Sequence, residues 1–353
     1  MNINVNLLNK IDRKYLRKKF IIFILLVIFN QIIIYIITLQ NRLNLSIFFS
    51  GIYKQLFFAT RNRKALKPII SKKIFNYSLK DKKGVCLCTI CKNEQLYLLE
   101  FVQHYQKLGY KKIIIFDNND INVEKIDRIL KYYISHNFVE IIDVRGLGKI
   151  QLGAYRYCYE KNHNLYDWIS FFDIDEFLYI KNNLNINNYI YNKRFQKCQS
   201  IILSSKICDD NNLERYDSRP LNERFKNCQK RQIQVKSIVR GKIQKQFFPS
   251  AHIVAFNLNY FCDSNGKRIF PKSLTKYDFS NNNEYFAYIK HFYAKTAEEF
   301  CVKLKRGGGD DVKINANLKK GLKYFFVINN ITKNKIKILE ECTKVNITEL
   351  INK

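Results

Sequence analysis

From Gly84 onward, apolar and polar positions fall into alternating strand-like and helix-like stretches. Val85–Cys91 is a short apolar run that reads as a buried strand, and Lys92-Asn93-Glu94 follows as a polar turn. Glu94 to Leu108 then carries Leu98, Phe101, Val102, Tyr105 and Leu108 at helical spacing, with Gly109 as the stop. Lys112–Phe116 predicts a second strand ending in Asp117-Asn118-Asn119-Asp120, and Ile126–Ser135 a helix. Val139–Val144 predicts a third strand, Gln151–Lys161 a helix, and Trp168–Phe172 a fourth strand. This rhythm predicts βαβ units, hence an α/β fold with a mostly parallel sheet and helices on both faces. After about residue 180 the rhythm loosens, and Lys181–Asn192, Asp209–Asn212 and Asn281–Asn283 read as Asn-rich loops. Ala297–Arg306 reads as a helix closed by Gly307–Gly309, and residues 321–353 as a Lys/Ile/Asn-rich, helix-compatible tail without a visible site.

Ligands of doubly wound sheets bind beyond the carboxyl ends of the strands. Lys92–Glu94, Asp117–Asp120 and Asp173–Glu176 all fall at such ends, outlining a nucleotide-sized pocket. The last of these is the most telling. In Phe172-Asp173-Ile174-Asp175-Glu176, three carboxylates follow an apolar strand. Side chains two apart on a strand point to one side, so Asp173 and Asp175 are suited to hold a divalent cation that grips phosphate oxygens. Acidic strand ends also serve as helix caps or solvated turns, so the string alone leaves both readings open.

Upstream of Gly84 the pattern is different. Phe20–Leu39 is apolar except for Asn30, Gln31 and Thr38. Twenty residues of helix match a hydrocarbon layer of roughly 30 Å, so the segment predicts a membrane anchor, with no small-residue cleavage site after it. Residues 1–19 carry six Lys or Arg against one Asp, and residues 41–83 carry eleven against one. Together these two segments hold about half of the net charge of +31. Basic residues flanking an apolar run point to an anionic bilayer surface, and no nucleic-acid motif accompanies them. The positive-inside rule favours a single pass with a cytoplasmic N-terminus. Leu45–Ala59 is aromatic enough to lie in the interface instead, which would leave the whole chain on one face. The expected organisation is a basic segment (1–19), an anchor (20–39), a basic stem (40–83), a catalytic domain (84–320) and a tail (321–353).

Ten cysteines leave the compartment open. Cys86, Cys88 and Cys91 lie along an apolar strand and read as buried thiols, while Cys208 and Cys228 are a possible bridge in an oxidising lumen.

Taken in order, these pieces resemble glycosyltransferase family 92 and related glycosyltransferase-2-like domains. The resemblance runs through Lys92-Asn93-Glu94, the helix with Glu100 and His104, Phe116-Asp117-Asn118, and Gln151 with Ala154-Tyr155 and Cys158. It continues through Phe171–Phe177, Glu223-Arg224-Phe225, Lys236–Arg240, His252, His291-Phe292-Tyr293, Lys295-Thr296 and Lys303 to Gly307. It implies a GT-A fold that moves a sugar from a nucleotide-sugar to a glycan or glycoconjugate, with Mn2+ or Mg2+. A lumenal domain would suit a Golgi-type enzyme in a eukaryote, and a cytoplasmic one bacterial surface-glycan assembly.

Within that frame Asp173, Asp175 and His291 are the candidate metal ligands, Asp175 foremost. Lys92, Asn93, Glu94, Asp117 and Asp173 are candidates for the donor's base, ribose and phosphates, and Lys303 and Arg306 for its leaving diphosphate. Glu223, Glu176, Asp310 and Asp311 are the carboxylates available as general base of an inverting transfer; Glu223 is preferred because it sits in a segment the resemblance covers. Two other readings stay open. Asp173 could be the nucleophile of an aspartyl-phosphate hydrolase, or the basic stem could belong to a non-catalytic protein that binds membrane or nucleic acid.

Overall fold

The computed structural model describes residues 82–148, 150–228, 234–243, 246–247, 250–256, 260–269, 285–306 and 314–347, all within one compact unit. The expected anchor Phe20–Leu39, the stem up to residue 81, Gly307–Gly309, Asp310 and Asp311 lie outside them. Among the described residues no helix is long and apolar enough to cross a membrane.

Strand β1 (Val85–Cys91) lies at the heart of the sheet, with β2 (Lys112–Asp117) on one side and β4 (Trp168–Phe171) on the other, both parallel to it. A third parallel neighbour, β3 (Val139–Asp143), extends this half beyond β2. Beyond β4 one strand reverses sense. Strand β7 (Val235–Arg240) runs antiparallel to β4 and to β6 (Ser200–Ile207). The start of β6 takes β10 (Phe261–Cys262), and its end takes β12 (Ala287–His291). Two antiparallel edges, β11 (Arg268–Ile269) on β10 and β5 (Glu176–Ile180) on β12, finish the two branches, while β8 (Gln246–Phe247) and β9 (Ala255–Phe256) pair antiparallel as a separate ribbon. Among the described residues seven strands of this sheet run one way and β7, β11 and β5 run against them, so it is mostly parallel, as expected, with three antiparallel members. The C-terminal strands escaped the sequence pattern because they carry buried polar residues: Lys236, Ser237 and Arg240 in β7, and Ser200, Ser204 and Ser205 in β6.

Alternation of side chains along β1 builds two cores, one on each face. Val85 and Leu87 join Ile113, Ile115, Trp168 and Phe172 on the face covered by α1 (Gln95–Lys107), which contributes Leu98, Phe101 and Tyr105. Cys86 and Cys88 join Ile114, Phe116, Ile169 and Phe171 on the opposite face. There α3 (Gln151–Asn162) supplies Ala154, Tyr155, Cys158 and Tyr159, while α2 is only the short Lys131–Ser135 because residues 126–130 form turns. Within the Asn-rich stretch read as a loop, Asn185 caps a one-turn helix α4 (Ile186–Ile190) by accepting the Asn188 N–H at 2.8 Å.

Three more helices follow the short α5 (Leu221–Arg224): α6 (Ala297–Arg306), α7 (Ile314–Ile328) and α8 (Lys333–Thr343). They close a third apolar cluster through Phe300, Leu322, Phe325 and Leu339. A Cys301–Cys342 disulfide joins α6 to α8, and Lys335 forms a buried ion pair with Asp210 at 2.6 Å. The stretch read as a tail is thus packed onto the helix that carries Lys303 and Arg306. Two further bridges, Cys198–Cys262 and Cys208–Cys228, staple the C-terminal half of the sheet, and Cys86, Cys88, Cys91 and Cys158 are buried free thiols.

Candidate active site

The register sets the site. Cys91 sits opposite Asp117, and Cys88 opposite Phe171, so the ends of β1, β2 and β4 open on the same edge. Lys92–Glu94, Asp117–Asn119 and Asp173–Asp175 therefore come together, as the sequence pattern predicts. The turn after β1 uses Asn93 at φ 52°, a left-handed conformation that asparagine tolerates. Its N–H donates to Asn119 Oδ1 at 2.6 Å and ties the first two loops together.

The two aspartates of the acidic turn face different surroundings. Asp173 Oδ1 accepts hydrogen bonds from Gln151 Nε2 at 2.8 Å and Tyr155 Oη at 2.9 Å, both on α3. Its Oδ2 lies 2.7 Å from the buried Lys236 Nζ. Burial pushes the Asp173 carboxyl up, but Lys236 more than offsets this and holds it below its ordinary value. Asp175, 5% exposed at its side chain, turns the other way. Its carboxylate meets Lys303 Nζ at 3.0 Å, His291 Nε2 at 3.4 Å and Lys295 Nζ at 3.8 Å. Burial again opposes ionisation, yet Lys303, His291 and Lys295 draw this carboxyl well below the usual range.

Glu176, the first residue of β5, is a framework member. Its Oε2 accepts the Asp173 N–H at 3.0 Å and pairs with Lys236 at 3.0 Å. Burial raises its pKa, with Lys236 only partly compensating. Strand β12 sets His291 directly across from Glu176, which delivers the imidazole to Asp175. The Nδ1 of His291 is buried without a hydrogen-bond partner among the described residues.

Helix α6 brings in the cations. Lys303 also donates to the Tyr293 carbonyl at 3.0 Å and lies over the Tyr293 ring. Arg306 pairs with Glu94 at 2.8 Å and donates to the Lys92 carbonyl, so the turn after β1 is held by the end of α6. Glu94 raises the Arg306 guanidinium pKa against the effect of burial. Lys295, at φ 55°, is pushed down to about 8 chiefly by burial, with Asp175 opposing and Lys303 adding to the fall. It sits 4.4 Å over the Tyr97 ring, whose hydroxyl donates to Glu299 at 2.8 Å. Glu299 in turn forms a buried pair with Arg224 at 2.9 Å and locks α1, α5 and α6 together.

Not every expected residue joins the cluster as expected. Asp117 is buried and accepts the Asn119 N–H at 3.1 Å, with burial raising its pKa, so its contacts organise the loop after β2. Glu223 is exposed on α5, because one helical turn that sends Arg224 inward to Glu299 leaves its neighbour on the outer side. Among the described residues no three His, Cys, Asp or Glu side chains gather round one metal position. Asp175 and His291 form a two-donor pair, while Asp173 is engaged elsewhere. The sequence reading gave no role to Lys236, Lys295, Gln151 or Tyr155; a lysine inside the apolar run of β7 was the available signal for the first.

Residues 81–320 match the family model described as glycosyltransferase family 92. A family 92 protein of Ricinus communis is 28% identical over 109 residues, covering 31% of this chain and 19% of that protein. One from Oryza sativa subsp. japonica is 25% identical over 109 residues, covering 31% and 18%. The chain therefore aligns with about a fifth of the length of these relatives. Among solved structures, S. aureus TarS aligns at 10% identity over 76% of this chain and 50% of its own, with a TM-score of 0.33. The mannosyltransferase PcManGT from Pyrobaculum calidifontis, in complex with GDP-Man and Mn2+, aligns at 9% identity over 48% and 47%, with a TM-score of 0.26. Those scores carry no weight beside the family match, which spans more than half of the sequence and covers the whole edge from Lys92 to Arg306: this chain belongs to glycosyltransferase family 92.

Proposed function

We propose that this chain transfers a sugar, with inversion, from a nucleotide-sugar to a hydroxyl of a glycan or glycoconjugate, assisted by Mn2+ or Mg2+ and held at a bilayer by Phe20–Leu39. The observation that carries the reading is Asp175: a buried carboxylate at the shared edge of three parallel strands, beside an imidazole and two lysines. The pair fits a hard divalent ion that takes few protein ligands and completes its shell with phosphate oxygens and water. Asp175 Oδ1 and His291 Nε2 would hold that ion, while His291 Nδ1, without a hydrogen-bond partner among the described residues, lies 3.8 Å from Glu176 Oε1. Bound there, it supplies Lewis-acid stabilisation to a departing diphosphate.

The remaining roles fall to the chain itself. Lys303 and Lys295 place positive charge where the leaving group's negative charge grows. Arg306 fixes Glu94 and the Lys92 carbonyl, keeping the turn after β1 shaped for the nucleoside. Asp173, held at both oxygens, presents a fixed acceptor to hydroxyls of the donor. The three disulfides support an oxidising compartment for the domain, which agrees with a cytoplasmic N-terminus and a lumenal catalytic face.

Calorimetric titration of a panel of nucleotide-sugars, with and without Mn2+, tests the substrate class directly. Asp175→Asn keeps the shape and removes the charge; the expected result is a loss of transfer of about a thousandfold or more in a folded protein. Transfer within about tenfold of the parent would sink the assignment of Asp175.

A further inference from the structure

Lys236 is the most deeply buried cation near the acidic turn, with 1% of its side chain exposed, and it pairs with Asp173 and Glu176. Its Nζ bridges Asp173 Oδ2 at 2.7 Å and Glu176 Oε2 at 3.0 Å. The same Glu176 oxygen accepts the Asp173 backbone N–H at 3.0 Å. One ammonium thus closes a ring through both ends of the turn from Asp173 to Glu176. We propose that Lys236 is a positioning residue for the donor site: it clamps Asp173 toward α3, and the closed turn delivers Asp175 to His291 Nε2 and Lys303. This inference rests on the donor site proposed above.

The division of labour follows from geometry. Asp173 Oδ1 is already taken by Gln151 and Tyr155, and Lys236 takes Oδ2, so the carboxylate is fixed about both C–O directions. Even so its side chain keeps 31% exposure, a fixed and accessible acceptor at the mouth of the site. Lys236 can reach it because β7 pairs with β4: Ser237 lies opposite Phe171, two residues before Asp173. The clamp therefore comes from a strand that runs antiparallel to the three that form the nucleotide edge.

Lys236→Met alone leaves two buried carboxylates against each other and can fail to fold. The double variant Lys236→Met/Glu176→Gln keeps the net charge of the three-residue cluster and its size, and is the informative one. Titration with a nucleoside diphosphate, which needs no catalysis, should show binding weakened about tenfold or more relative to the full-length parent, with an unchanged melting curve. On an Asp173→Asn background the same double change should cost less than about twofold, because Lys236 acts through Asp173. A purely structural Lys236 would instead leave affinity untouched in the folded double variant, and that result overturns the proposal. Equal losses with and without Asp173→Asn would overturn it as well. A parent chain that binds no nucleoside diphosphate, with or without Mn2+, would bring down the donor-site reading itself and this inference with it.

Discussion

Lys335 offers a severe test of the claim that α7 and α8 belong to the working domain, since it lies past residue 320, where the family match ends. Its side chain is 0% exposed and that of its partner Asp210 2%, at 2.6 Å. Asp210 also accepts the Asn212 N–H at 2.9 Å, and Asn329 accepts the Asp210 N–H at 2.8 Å, so the carboxylate cannot swing out to water without dismantling its loop. Lys335→Met keeps the apolar stem and deletes the charge. Leaving one partner of a buried pair uncompensated costs about 3–5 kcal/mol. At about 2–4 °C per kcal/mol for a domain of this size, the melting temperature should fall by about 6–20 °C. Replacing both partners, with Asp210→Asn/Lys335→Met, should recover most of the loss, because the stranded charge is gone. A pH series adds a sign. Burial already raises the Asp210 carboxyl, and removing Lys335 raises it further. The folded variant then takes up a proton more readily than the unfolded chain as pH falls, so its deficit must shrink between pH 8 and 5. Circular-dichroism melts of the full chain across that range measure all three quantities. A single variant that melts within about 3 °C of the parent, or a double variant no better than the single, refutes the reasoning.

Further outcomes follow from the same contacts. Burial pushes His104 down to about 4, while its Nε2 contacts the Leu178 carbonyl at 2.9 Å. The unfolded chain binds this proton from about pH 6.5 downward and the folded one resists it, so stability should drop as pH falls from 6.5 toward 4. His104→Gln, which keeps a donor for that carbonyl, should flatten the drop, and an unchanged slope would count against a buried neutral imidazole. Alkylation of the denatured, unreduced chain should label four cysteines, namely Cys86, Cys88, Cys91 and Cys158, and all ten only after reduction. Labelling all ten without a reductant would refute the three bridges. Replacing Cys301 and Cys342 by serine should cost about 4 kcal/mol for a bridge spanning 41 residues, read as a lower melting temperature.

The N-terminal half of the domain was legible because its information is local. Val85–Cys91 and Lys112–Phe116 are unbroken apolar runs, and each is bounded by polar turns, so period and punctuation agree. The edge formed by Glu94, Asp117 and Asp173 followed from that topology alone. Past residue 180 the same reading weakened because strands there are paired by distant partners and carry polar side chains on their buried face. Ser204 and Ser205 on β6 and Lys236 on β7 break the apolar signal at positions where the third dimension supplies the partner. Short elements such as Ala287–His291 gave too few residues for a period, although they place His291. The disulfide of Cys208 and Cys228 was foreseeable as a pair, whereas Cys198–Cys262 and Cys301–Cys342 join segments 64 and 41 residues apart with nothing local to announce them.

Of the site's cations the sequence pointed to Lys303 and Arg306 but not to Lys236 or Lys295, and the reason is physical. An Asp-x-Asp string advertises itself, because neighbouring acids in an apolar context have few explanations. Its counterions arrive from three separate places: Lys236 from β7, Lys295 from the turn after β12, and Lys303 from α6. In a chain with 61 Lys and Arg, Lys236 and Lys295 do not stand out until burial selects them. Burial is the discriminating quantity, because an ammonium leaves water only where carboxylates or phosphates replace its hydration. By that criterion the cluster divides in two. Lys236 has its full complement of carboxylates within the protein, and so its role is to hold the turn. Lys295 and Lys303 share the single carboxylate of Asp175, so the two lysines outnumber its one negative charge. That imbalance is what an incoming diphosphate with its metal would complete, and it makes the lysine-rich side of Asp175, rather than the acidic string by itself, the feature on which the nucleotide-sugar reading stands.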